Sequence, residues 1–198
     1  MVTLLVGQIN LSVGALGGLV AIVFGGLMEV WGVPVPIAIA VALVLGTAGG
    51  LLNGMLTVRT GINGFIITLA TASAFAGINL GVTESIPFYQ MPTSLVDFGA
   101  ARIGPVPYLL FPPLIVAVLL IFFLTRTVKG RWLMAVGGNA HAAELSGIPK
   151  ARMLITAHVL SGLLSAVAAI LAVAQLGSAQ PTIGSDWLLI SFAAPIIG

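Results

Sequence analysis

TRTVKGRWLMAVGGNAHAAELSGIPKAR, residues 125–152, is the longest basic break in an otherwise apolar chain. It holds five of the seven Lys and Arg residues, Arg126, Lys129, Arg131, Lys150 and Arg152, against a single acid, Glu144. Apolar runs long enough to cross a bilayer flank it on both sides. A positively charged loop between two spans stays in the cytoplasm. Its middle predicts a short helix held along the membrane. Asn139 is a good N-cap, residues 140–146 are mostly helix formers, and Gly147 with Pro149 forms a stop. Two readings stay open for this helix: a docking surface offered to the cytosol, or a plain connector that fixes orientation.

The rest of the chain sets the solvent. Of 198 residues, 59% are hydrophobic and 6% charged, and the mean hydropathy is +1.20. Soluble domains carry about 25% charge. So few charges cannot cover a water-facing surface, so the solvent is lipid and the fold class is an all-α polytopic transmembrane bundle. Cysteine is absent, which excludes disulfides and Cys-ligated metals. The small net charge sits in one loop, which speaks for orientation and against nucleic acid as a partner. No basic leader precedes the opening MVTLLVGQINLSVG, and SFAAPIIG ends within another apolar run. Both ends read as cut from a longer permease-like protein.

In order, residues 1–9 predict the tail of a spanning helix. Gln8, Asn10 and Ser12, between Gly7 and Gly14, interrupt it. Broken backbone at membrane depth persists only where protein or a water-filled cavity satisfies it. The stretch is either a broken helix beside a transport path or a loop whose Asn or Ser caps the next helix. Residues 12–28 predict a span with Gly14 and Gly18 spaced for close helix contact. A turn over 29–36 follows, where Trp31 suits the interface and two prolines block the helix. Residues 37–58 predict a long helix with Gly46, Gly50 and Gly54 on one face, a packing ridge, and Asn53 beside it to bond across helices.

Residues 64–81 predict another span. Its Thr68, Thr71 and Ser73 are expected to bond back to their own backbone, and Asn79 adds a polar point. Residues 82–107 read as a long polar loop on the far side. Residues 108–124 return the chain to the basic stretch, and residues 153–176 cross again with His158, Ser161, Ser165 and Gln175. Residues 177–186 read as an outer turn, and Trp187 opens a last, incomplete helix.

His141 and Glu144 share a helical face, but the chain lacks a second His at metal-ligand spacing. No metal and no cofactor is expected, and His158 reads as a hydrogen-bonded residue near one helix end. A phosphate-binding G-x-x-x-x-G-K-[ST] motif is missing from the sequence. The spans carry no obvious central carboxylate, which disfavours proton coupling. Uphill transport would then draw its energy from a partner, through a docking loop. A secondary carrier driven by an ion gradient is the alternative.

Gly130-Arg131, Ala135 to Asn139, Ala142-Ala143 and Ser146-Gly147-Ile148 together resemble the cytoplasmic loop of ribose-type sugar ABC-transporter permeases. The run from Gln8 to Gly14 resembles that family's early G-x-[DN]-L-S-V-G motif, with Asn10 where relatives often have Asp. Ser178 to Pro181 and the Gly198 end are also similar. The resemblance implies a single transmembrane permease domain over 1–198, incomplete at both ends, with residues 125–152 as its cytoplasmic coupling loop. It implies a non-enzymatic subunit of the bacterial inner membrane that passes a monosaccharide inward. The implied partners are an ABC ATPase subunit, a periplasmic sugar-binding protein and a second permease subunit. Its coupling helix would dock through Gly138, Asn139, Ala143, Glu144, Ser146 and Gly147. Neutral amides and hydroxyls at Gln8, Asn10, Ser12, Asn53, Asn63 and Asn79 are candidates for the translocation path.

Overall fold

The computed structural model describes residues 2–197, and side chains through residue 193; Gly198 lies outside them. A 3₁₀ helix, Val2–Val6, leads into nine helices among the described residues: α1 (Val13–Glu29), α2 (Val35–Thr60), α3 (Gly64–Thr83), α4 (Thr93–Ala100), α5 (Phe111–Arg126), α6 (Val128–Gly138), α7 (Ala140–Leu145), α8 (Lys150–Leu176) and α9 (Trp187–Ile197). Four helical stretches are long and apolar enough to cross a membrane: Val35–Thr60, Gly64–Thr83, Tyr108–Arg126 and Lys150–Leu176. The bundle is all-α and polytopic.

Its axis is α1. Twelve of the 17 residues of α1 are buried, around most of its circumference, whereas no residue of α5 is buried. Helices α2, α3 and α8 surround α1. Helices α2 and α8 meet backbone to backbone: a Cβ on Gly50 would strike the His158 carbonyl, and one on Gly162 the Gly46 carbonyl. The ridge of Gly46, Gly50 and Gly54 is therefore a packing surface. Lipid tails are as apolar as leucine, so association within a membrane depends on such close approach.

Six basic residues gather at one end of the bundle, where α2, α5 and α8 meet the short helices α6 and α7. A second apolar cluster fastens that end, joining Val2 and Val6 to Leu133, Val136, Ala143, Met153 and Ala157. Arg102 lies at the far end with Glu84 and Asp97. There the backbone N–H of Gln90 donates to Glu29 Oε2 at 2.8 Å.

Five local expectations are corrected. Residues 2–6 form a 3₁₀ turn packed on α6 and α8, not the tail of a spanning α-helix; Gly7, at φ +70°, ends it. Helix α2 starts at Val35 and not at residue 37: the prolines do separate it from α1, but Pro34 and Pro36 also open it as N-cap and first-turn residues, because proline's missing N–H costs nothing there. The loop over 82–107 contains α4, which buries Leu95, and a two-residue hairpin pairing Arg102–Ile103 with Val106–Pro107. The basic stretch holds two helices, not one. Thr127 caps α6, its Oγ1 accepting from Gly130 N at 3.0 Å, and Leu133 and Val136 bury one face.

The fifth correction concerns residues 177–186. They are not simply an outer turn. Ala179 pairs with Phe88 and sits against Gly25, the Ile183 carbonyl abuts Gly18, and Gly184 abuts Gly14. The segment thus descends along α1 by eleven residues, about 16 Å of helix. Gly14 and Gly18 make room for this irregular backbone and not for a neighbouring helix. Trp187 then starts α9 with its ring against Gly17.

Candidate functional site

The break at residues 7–12 is a polar seam between α1, α2, α3 and α8. Asn10 Oδ1 accepts from Ser12 N at 2.9 Å and from Ser12 Oγ at 2.8 Å. Asn10 Nδ2 donates to Ser161 Oγ at 3.0 Å. Asn53 Nδ2 donates to Ser12 Oγ at 2.7 Å. Leu11 N donates to Thr68 Oγ1 at 3.0 Å, and Thr68 Oγ1 bonds back to Gly64 O at 2.7 Å. Ser12 occupies the N-cap position of α1 without a side-chain cap bond, so its hydroxyl serves the seam. The links through Ser161, Asn53 and Thr68 tie the break to α8, α2 and α3, and such a bond contributes about 1 kcal/mol within a membrane.

Gln8 anchors the seam's lower end. Its Oε1 accepts from Gly64 N at 2.9 Å, satisfying one of the free N–H groups that open α3. A Cβ on Gly64 would collide with that oxygen and would lie 3.5 Å from His158 Nε2. His158 is entirely buried, and among the described residues neither of its ring nitrogens has a hydrogen-bond partner. This corrects the expectation of a bonded histidine: Gly50 and Gly54 bring α2 onto the His158 backbone and Cβ, and Gly64 of α3 lies beside the ring. Asn53 Oδ1 is likewise buried and unpartnered.

Four of the six candidate path residues are therefore brought together: Asn10, Ser12 and Asn53 in one network and Gln8 just below it. Asn63 is exposed and caps α3, its Oδ1 accepting from Phe65 N at 3.0 Å. Asn79 lies apart, nearer the far end, where Nδ2 donates to Pro181 O at 3.0 Å. It lines a cavity of about 280 Å³ together with Gly14, Gly18, Pro181 and Gly184. On α8, Ser161 and His158 are seam residues that sequence reasoning did not select for the path. Their signal was the i, i+3 spacing of two polar side chains on one face of an apolar helix.

At the basic end, Asn139 Oδ1 accepts from Ala142 N at 2.9 Å and starts α7. Ser146 Oγ donates back to Ala142 O at 2.9 Å, and Gly147, at φ +80°, turns the chain into α8. Gly138, Asn139, Glu144, Ser146 and Gly147 are exposed, whereas Ala143 is buried and holds α7 onto the bundle. Leu145, absent from the sequence-based selection, is 78% exposed and stands at the outer tip. A cavity of about 450 Å³ connects the two regions, since Gln8, Thr57, Asn63, Glu144, Lys150 and Leu154 all line it. One α7 side chain thus shares a cavity with the foot of the polar seam.

A helical bundle with membrane-length apolar helices, a basic loop helix and buried neutral polar groups defines a multi-pass membrane protein. The family profile described as "Branched-chain amino acid transport system / permease component" matches residues 1–198, and the chain belongs to that permease family. It is 34% identical to the Autoinducer 2 import system permease protein LsrD of Salmonella typhimurium, over 97% of this chain and 59% of that protein. It is 35% identical to the D-allose transport system permease protein AlsC of Escherichia coli K12, over 98% and 60%. With LsrD of Yersinia enterocolitica the identity is 37%, over 97% and 60%. The chain spans about three fifths of the length of these curated relatives. No solved structure matches it at a significant level.

Proposed function

We propose that this chain is the membrane-spanning part of the permease subunit of an ATP-driven importer, passing a small neutral sugar such as ribose or allose across the bacterial inner membrane. It performs no covalent chemistry. The whole described chain serves as one permease domain, and residues 125–152 form its cytoplasmic coupling loop. A separate ATPase docks on the exposed face of that loop at Gly138, Asn139, Glu144, Ser146 and Gly147, while Ala143 fixes α7 to the bundle. An extracytoplasmic sugar-binding protein delivers the solute, and a second permease subunit completes the pore. Gln8, Asn10, Ser12 and Asn53 line the path, with Asn63 at its cytoplasmic mouth and Asn79 nearer the outer side.

One observation carries this reading. The cavity at the basic end is lined both by Glu144 of the loop helix and by Gln8 and Asn63 of the proposed path. A push on α7 therefore changes the mouth of the path directly. The chemistry of the seam agrees: amides and hydroxyls exchange hydrogen bonds with a hydroxylated solute without holding a charge. The names of the allose and autoinducer 2 relatives support a solute of that kind.

The test is uptake of radiolabelled D-allose and D-ribose by proteoliposomes holding the full-length chain with its ATPase and binding protein. ATP-dependent uptake that is indifferent to ionophores is expected. Uptake that collapses with an ionophore and ignores ATP would establish an ion-driven carrier instead.

A further inference from the structure

Three polar atoms in the seam are buried and unpartnered among the described residues: Asn53 Oδ1, His158 Nδ1 and His158 Nε2. They are not scattered. Gly54, next to Asn53 on α2, packs on His158 Cβ. Asn53 reaches the seam through Ser12, and His158 Nε2 stands beside Gly64 and the Gln8 oxygen that Gly64 N binds. Ser161, three residues along the same face of α8, already bonds Asn10. A neutral imidazole always offers one donor and one acceptor, and an amide oxygen offers an acceptor. Leaving all of them unmet in a low-dielectric interior is costly, and replacing the ring by an apolar group of similar size would remove the penalty. Buried polar groups are almost always satisfied, so a cluster of unmet ones calls for a functional explanation.

Resting on the permease reading, we propose that His158 is a solute-contacting, specificity-determining residue of the path. In the state with the 7–12 break withdrawn from α2 and α8, His158 and Asn53 meet vicinal hydroxyls of a neutral sugar. The pairing suits that chemistry: each sugar hydroxyl both donates and accepts, so one imidazole nitrogen takes a proton and the other gives one. The break is the element best placed to move, because it is irregular backbone tied to α2, α3 and α8 through a few hydrogen bonds, at Gln8, Ile9, Asn10, Leu11 and Ser12. Helices α2 and α8, interlocked along the glycine ridge, stay together.

The chain has no cysteine, so one introduced thiol gives a clean readout. In the assembled, full-length transporter, His158→Cys is treated with a charged, membrane-impermeant thiol reagent in the nucleotide-free, ATP-bound and turnover states. Reaction is expected in at least one state at more than tenfold the rate of the slowest, while Asn63→Cys, exposed at the mouth, reacts throughout. In uptake, His158→Leu should lose at least tenfold in D-allose or D-ribose transport with a thermal midpoint equal to or above that of the wild type. His158→Gln, which keeps a donor and an acceptor, should retain at least a third of the wild-type rate. A thiol at 158 that is inert in every state marks a sealed structural pocket and overturns the inference, as does full transport by His158→Leu. ATP-driven wild-type uptake alongside either result leaves the permease reading standing. Wild-type uptake without ATP dependence removes both.

Discussion

Asn10 concentrates the chemistry of the seam in one side chain. Its carbonyl oxygen serves Ser12 twice and its amide reaches Ser161, at 5% exposure. Leucine at this position would leave Ser12 N and Ser161 Oγ without their partners, while the Ser12 hydroxyl would keep its bond from Asn53, a penalty of about 1–3 kcal/mol for each group that finds no other partner. Asn10→Leu should therefore lower the unfolding midpoint in detergent by several degrees, read by differential scanning fluorimetry. Asn10→Asp keeps the oxygen that Ser12 needs, and the Ser161 hydroxyl can turn to donate. Its midpoint should fall by less than half as much. Asn10 and Ser12 were legible as polar interruptions of an apolar run. That they serve Ser161 and Asn53 was not, because those partners lie 151 and 41 residues away.

Among the elements, α7 was read correctly from its ends. A side-chain cap at Asn139 and a left-handed Gly147 are local signals, fixed within a few residues. Gly147 has open space around it, so a substitution there acts through φ alone. A β-branched residue forced to φ +80° costs about 1–2 kcal/mol, and the exit from α7 shifts to relieve it. Gly147→Val should keep basal ATP hydrolysis in the assembled transporter and cut sugar uptake several-fold. Gly147→Asn, tolerant of the left-handed region, should fall between it and wild type. Equal uptake by all three would remove α7 from the coupling role. Helix α6 was not legible because Gly130, Gly137 and Gly138 lower its propensity. Two of them are needed for close approach, Gly130 to the Phe123 carbonyl and Gly137 to the Leu5 carbonyl.

At the scale of the whole molecule, the charge asymmetry of the two ends predicts orientation. With no native cysteine, single thiols report it. Leu145→Cys, at the exposed tip of α7, should be shielded from an impermeant maleimide in intact cells and label only after permeabilisation. Tyr89→Cys, 66% exposed at the far end, should label in intact cells once the outer membrane is breached. The reverse pattern would invert the protein and defeat the coupling-loop proposal with it. Helix α5 shows what the whole molecule adds. Its Leu114, Ile115, Val118, Leu119 and Phe122 are exposed, and an apolar gap of about 370 Å³ separates it from α2 and α8.

Sequence alone determined the solvent, the class of fold, the principal crossings, the polar break before α1 and the caps of α7. Those features are written in local hydropathy, charge and capping, which need no distant partner. Tertiary structure decided which helix is the axis and which faces lipid. In a bilayer both environments are apolar, so hydropathy does not tell α1 from α5, and the glycines of α1 announce close contact without saying with what. It also decided that residues 177–186 descend along α1, and that His158 is buried without a partner among the described residues. Both follow from glycine faces whose neighbours lie far along the chain, and a missing side chain says only that something comes close.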